Sequence, residues 1–202
     1  MAPENKPNFM GVDYGSKLAG TTAAAMVENE QLHVWQSARG QDADEFLLKL
    51  IQDKRPNTVF IDAPLTLPKV YSQLPYTSGA DFFYRTCDRE VQAMSPMFIG
   101  GLTARAIKLR TILSEQGIAL LETYPSQLAH VLLPDEKGYK KDLATLPVIA
   151  QLLQDQIRPI SFAQPPQDWH QFDALLAWYS GYRHHSGEAI LYGDAQEGRI
   201  IV

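Results

Sequence analysis

The sequence predicts an α/β protein built on a mixed sheet covered by helices, and three observations carry that prediction. Three strand-like segments come first with no helix between them: residues 9–13 (FMGVD), 20–27 (GTTAAAMV) and 31–36 (QLHVWQ). Strands in direct succession imply antiparallel pairing. Further short apolar runs at residues 59–61 and 118–121 then alternate with helical periodicities. Crossovers through helices imply parallel strands. The chain has 202 residues, 45% hydrophobic and 20% charged, which is ordinary globular composition and long enough for a sizeable core.

Each element has its own signal. Glu28-Asn29-Glu30 separates the second and third strands. Residues 42–54 place Phe46, Leu47, Leu50 and Ile51 at helical spacing. Pro64 and Pro68 open an aromatic-rich segment that runs to about Gly79. Residues 81–94 are expected to be helical. A helix at 103–116 carries Ile107, Ile112 and Leu113 on one side and is ended by Gly117. Helices are also expected at 126–133 and 143–156, with a loop at 159–167. Residues 170–184 read as a strongly apolar helix with one interior acid, Asp173. The tail, 189–202, reads as a small C-terminal hairpin around Gly193-Asp194. With no repeat or linker, residues 1–202 read as one domain.

Composition narrows the function. No apolar run approaches the roughly 20 residues of a membrane helix, and the N-terminus lacks the pattern of a signal peptide. The lone Cys87 makes a reducing cytoplasm the expected compartment. A net charge of -5 argues against a generic nucleic-acid binder. It does not argue against an enzyme that uses carboxylates.

The most informative feature is the placement of acids. Asp13, Asp62 and Glu122 each end an apolar strand. If those strands lie side by side and parallel, the acids converge at the sheet edge where open α/β sheets bind ligands. Asp173, in the first turn of its helix, could face the same point. Any one of them is ordinary at a strand end or near a helix N-terminus, but four at comparable positions point to a site. Converging carboxylates repel and need a proton or a cation between them. Hard oxygen ligands suit Mg²⁺ or Mn²⁺, one or two ions, which can support phosphodiester cleavage. Carboxyl oxygens about 4–6 Å apart would share such an ion. In Gly11-Val12-Asp13-Tyr14-Gly15-Ser16-Lys17 the turn after the strand could also hold a phosphate through Ser16, Lys17 and backbone amides, or be a plain turn.

GVDYGSK, VFIDAPL, RTCDREV, ETYP, YKK, FDALLAWYSG and GDAQEGRIIV occur in that order. Together they resemble the bacterial and archaeal family of predicted ribonuclease H-like nucleases, over nearly the whole chain. The first motif alone also resembles the Holliday-junction resolvase-like family. The resemblance implies a ribonuclease H-like fold, with Asp13 as the first-strand acid, Asp62 as the central-strand acid and Asp173 as the helix acid. Glu122 matches the family's ETYP glutamate, a less typical ligand position in the wider superfamily. All four are expected metal and catalytic residues of a divalent-metal-dependent nuclease acting on nucleic acid or a nucleotide phosphodiester. An actin-like ATP-binding phosphotransferase and a lapsed, non-catalytic binding module are the alternatives; the first would need a second domain.

Other residues could reach the substrate. Arg85 and Arg89, with Asp88 between them, would share one helix face and grip phosphates, or form a solvated ion-pair face. From Arg85 to Arg110 the chain carries a local excess of positive charge. Lys140 and Lys141 could reach a phosphate across the cleft, or be part of a charged, solvated loop. Tyr71 and Tyr76 could stack on bases or pack in an ordered loop. Cys87, beside Asp88, is not expected to be a nucleophile. His170, His184 and His185 lack zinc-like spacing and read as helix-end or surface residues.

Overall fold

A computed structural model describes residues 8–72, 79–133 and 138–202. Strands β1 (Phe9–Asp13), β2 (Ala23–Glu28) and β3 (Gln31–Gln36) form a meander, followed by helix α1 (Ala43–Lys54) and strand β4 (Thr58–Asp62). Then come α2 (Thr86–Glu90), α3 (Gly100–Glu115), β5 (Ala119–Glu122), α4 (Pro125–Leu132) and α5 (Leu146–Gln156). A short strand β6 (Ser161–Phe162), the long helix α6 (Trp169–Ser186) and a hairpin of β7 (Leu191–Asp194) and β8 (Gly198–Ile201) complete the chain.

The main sheet has the order β5-β4-β1-β2-β3-β6. β1, β2 and β3 pair antiparallel, while β4 runs parallel to β1, β5 to β4 and β6 to β3. This is the expected mixed sheet, three antiparallel strands followed by parallel ones. No helix among the described residues is long and apolar enough to cross a membrane.

Both faces of the sheet are covered, which is why β1 and β4 read as continuous apolar runs. On one face, α1 and α3 set Leu47, Ile51, Ala106 and Leu113 against Met10, Val12, Val59 and Ile61. On the other, α4, α5 and α6 set Leu128, Ile149, Phe172 and Trp178 against Phe9, Ala25 and Phe60. Period-2 alternation therefore sends Phe9 and Gly11 towards α6, and Met10 and Val12 away from it.

α6 lies directly on β1. A Cβ on Gly11 would sit 2.0 Å from the Trp178 backbone nitrogen, and one on Gly181 would sit 2.7 Å from the Phe60 ring. Two missing side chains thus let the helix backbone rest on the sheet. Asp168 caps α6, accepting a hydrogen bond from the Gln171 amide at 2.9 Å. Asp173 consequently lies beyond the first turn and is not the capping acid.

Several boundaries differ from expectation. The helix expected at 81–94 shrinks to the five residues of α2. Asp81 accepts from the amides of Phe83 and Tyr84, and Asp88 accepts from the amide of Arg85. These side chains offer the backbone partners outside a helix, and Gln92 closes α2 in the left-handed region with φ 55°. The loop expected at 159–167 contains β6, which pairs with the outer edge of β3. The terminal turn falls between Asp194 and Gly198, because Asp194 Oδ1 accepts from the amides of Gln196 and Glu197. β2 starts at Ala23, since Thr21 and Thr22 are diverted to the preceding loop.

Candidate metal centre

The sheet brings three of the four expected acids together. Asp13 and Asp62 are register partners on the adjacent parallel strands β1 and β4. Each follows the α6-facing positions of its strand by two residues, Gly11 in one and Phe60 in the other, so both carboxylates face α6. Asp173 on α6 meets them. One carboxylate oxygen from each of Asp13, Asp62 and Asp173 lies within 4.8 Å of the others.

Glu122 does not join this group. Its register partner on β4 is Ile61, one residue short of Asp62. Side chains alternate along a strand, so an offset of one residue turns Glu122 away from the face that Asp62 occupies. There the Arg85 guanidinium bonds both Glu122 oxygens at 2.6 and 2.7 Å, and the Leu65 amide donates at 2.9 Å. Arg85 also bonds both oxygens of Asp88, at 2.6 and 3.0 Å. Arg85 and Asp88 are each 1% exposed and Glu122 is 6% exposed. Arg85 is neither a solvated ion-pair face nor an open phosphate grip: it is the buried partner of two acids. Burial pushes the Glu122 carboxyl upward and Arg85 opposes that push.

The three clustered acids have different partners. Asp13 Oδ2 faces His170 Nδ1 at 2.8 Å. Tyr139 donates to Asp173 Oδ1 at 2.6 Å, and Lys140 Nζ lies 2.5 Å from Asp173 Oδ2. No group among the described residues donates a hydrogen bond to the Asp62 carboxylate. Desolvation, then the charges of Asp13 and Asp173, hold Asp62 well above the ordinary carboxylate range. Desolvation raises Asp173 to about 6, against the pull of Lys140. The hydrogen bond to Asp13 raises His170. Burial would lower Lys140, but the charge and hydrogen bond of Asp173 outweigh it and the ammonium is held above its usual value.

This donor set fits a hard divalent cation. Every candidate ligand is a carboxylate oxygen, and Asp62 has no donor among the described residues at the centre of mutual repulsion. Beside the acids opens a cleft of about 250 Å³, with Asp13, Asp62, Glu122, Arg85, Tyr124 and Met94 in its lining.

The other expected contacts lie elsewhere. The amides of Gly15 and Ser16 are already bonded to the Thr22 and Thr21 hydroxyls, so the loop after β1 is not an open phosphate cradle. Ser16 is exposed, and Lys17 is exposed and pairs with Asp42 at 3.0 Å. Arg89 is exposed, pairs with Asp81 at 2.8 Å and stacks on Tyr84. Lys140 lies on Asp173, whereas Lys141 is exposed. Arg105, within the basic stretch, grips Asp44 and the Gly15 carbonyl. Tyr71 is half-exposed on a single 3₁₀ turn, and Tyr76 lies outside the described residues. Burial pushes the Cys87 thiol up to about 12.

His170 and Tyr139 are the site residues that sequence reasoning missed. His170 stands three residues before Asp173, on the same helical face, and that spacing was a usable signal. Tyr139 reaches Asp173 through the tertiary fold alone, with no local signal.

No family model matches the chain, and no curated protein matches it in sequence. Among solved structures it is similar to T. thermophilus RuvC in complex with Holliday junction substrate, at 14% identity and a TM-score of 0.44, covering 89% of this chain and 96% of that one. It is also similar to the yeast mitochondrial Holliday junction resolvase Ydc2, at 12% identity and a TM-score of 0.40, covering 89% of this chain and 82% of that one.

Proposed function

We propose that this protein is a divalent-metal-dependent phosphodiesterase of the nuclease kind, acting on nucleic acid or a nucleotide. The observation that carries the proposal is the meeting of Asp13, Asp62 and Asp173 within 4.8 Å at the end of β1 and β4. These three would hold Mg²⁺ or Mn²⁺. When bound, such an ion lowers the pKa of water and offsets charge on phosphoryl oxygens. His170 positions Asp13 through one oxygen and leaves the other free, and Tyr139 positions Asp173. The cleft beside the acids is the proposed seat of the substrate phosphate. Ser16, Lys17, Arg89 and Lys141 are the proposed contacts to the rest of the substrate; Arg85 and Glu122 brace the cleft wall.

The test is direct. With Mn²⁺, the purified protein should cleave at least one member of a panel of duplex and single-stranded DNA, RNA, four-way junctions and small nucleotides. Asp13→Asn and Asp62→Asn should each abolish the cleavage. Absence of cleavage across the panel, or activity that survives both substitutions, overturns the proposal.

A further inference from the structure

The protein already supplies part of the positive charge that its three acids need. Lys140 lies against one oxygen of Asp173, and the Tyr139 hydroxyl binds the other. Asp173 is 2% exposed, whereas the Lys140 side chain is 42% exposed, so the ammonium reaches a buried acid from the protein surface. Lys140 has φ 58°, a left-handed conformation uncommon in residues with a Cβ. The turn that holds it there is tied down: the amides of Lys141 and Asp142 and the Thr145 hydroxyl all bond the Gly138 carbonyl. Tyr139 packs edge-on against Trp169 and Phe172 of α6.

The opposite side of the cluster is unsatisfied. Asp62 accepts no hydrogen bond among the described residues, and Asp13 uses one oxygen, for His170. The vacant lone pairs are therefore shared between Asp13 and Asp62, while Asp173 is engaged by the chain itself.

Building on the metal-dependent reading above, we propose that the site takes one divalent ion, seated chiefly between Asp13 and Asp62, and that the Lys140 ammonium stands in for a second ion on Asp173. One divalent ion and one ammonium together neutralise three carboxylates. A second divalent ion would make the desolvated site net positive, or would have to expel an ammonium from direct contact with a buried acid, and both are unfavourable.

Titration calorimetry with Mn²⁺, alongside low-temperature electron paramagnetic resonance, tests this on the full chain. Wild type should take up one ion and give an uncoupled six-line spectrum. Lys140→Met should admit a second Mn²⁺ with a spin-coupled signal, and Lys140→Arg should restore the count of one. Asp62→Asn should lose the ion. Two ions in the wild type, or one ion in both wild type and Lys140→Met, overturns the inference while leaving the metal-dependent reading intact. No ion in the wild type overturns both. Lys140→Ala replaces Lys140→Met if the latter does not fold, and it is judged by the same counts.

Discussion

Asp62 is the residue most at odds with its surroundings. Two like charges face it and no described residue donates to it, so in the ion-free protein its ionised form costs stability. Asp62→Asn should raise the melting temperature in chelator, by about 2–4 °C for each kcal/mol of repulsion removed. The same substitution should abolish the stabilisation by Mn²⁺. A drop in the ion-free melting temperature would count against the strained-acid account. The pH dependence follows from two neighbours. Asp173 is raised to about 6 when folded, against about 3.9 unfolded. The folded form thus holds its proton longer, and stability falls as pH rises from about 4 to 6. His170 is also raised. Its contribution is complete below its unfolded value of about 6.5 and is lost as pH rises through its folded value. Both act in one direction, so ion-free protein should melt higher at pH 5 than at pH 8, and saturating Mn²⁺ should narrow that gap. Calorimetric scans at both pH values, with and without the ion, check it.

At the scale of elements, two contacts decide whether the site assembles. α6 carries Asp173, and its distance from β1 is set by Gly11. Gly11→Ala forces a Cβ into the Trp178 backbone. It should destabilise by at least the 1–3 kcal/mol or so of ordinary overpacking, and weaken Mn²⁺ binding even though no ligand is altered. An unchanged Mn²⁺ affinity would show that the seating of α6 does not set the site. Arg85 is the second contact. Arg85→Met leaves Glu122 and Asp88 buried without their partner and should cost about 3–5 kcal/mol in urea unfolding; a loss under about 1 kcal/mol would contradict the buried network.

These two contacts also mark how far the sequence was legible. Apolar runs ending in acids marked β1, β4 and β5, and the helices between them implied that they run parallel. They did not reveal that β5 is offset from β4 so that Glu122 meets Ile61. ALLE is apolar at every position before the acid, so no alternation revealed which face Glu122 takes, and register is a property of the pair of strands. The shortened α2 was hidden for a similar reason: Asp81 and Asp88 were legible as charges, but their choice of backbone amides over a longer helix depends on the loop around them.

For the whole molecule, charge pairing matters more than charge count. The local excess from Arg85 to Arg110 is mostly spent within the chain: Arg85, Arg89 and Arg105 are each committed to acids, which leaves Lys108 and Arg110 without an acid partner among the described residues. With a net charge of -5, ion-free protein should bind long duplex DNA weakly. Fluorescence anisotropy across a salt series should give a log–log slope no steeper than about -2, the release expected from about two phosphate contacts. A much steeper slope would reveal a basic surface that the pairings do not predict.

The bare contact of α6 with β1 also sets a hierarchy of opening. Ten consecutive residues of α6, Phe172 to Gly181, are buried, and the strands beneath them are buried on both faces. Amide hydrogens of central α6 and β1 should therefore be among the last to exchange with deuterium, while those of the terminal hairpin exchange early. The scaffold of the three acids would then persist through partial openings that release the chain's outer parts. The turn carrying Lys140 is secured by fewer interactions and should exchange sooner. Such a difference would let the resident ammonium leave and return without unfolding the carboxylates it guards.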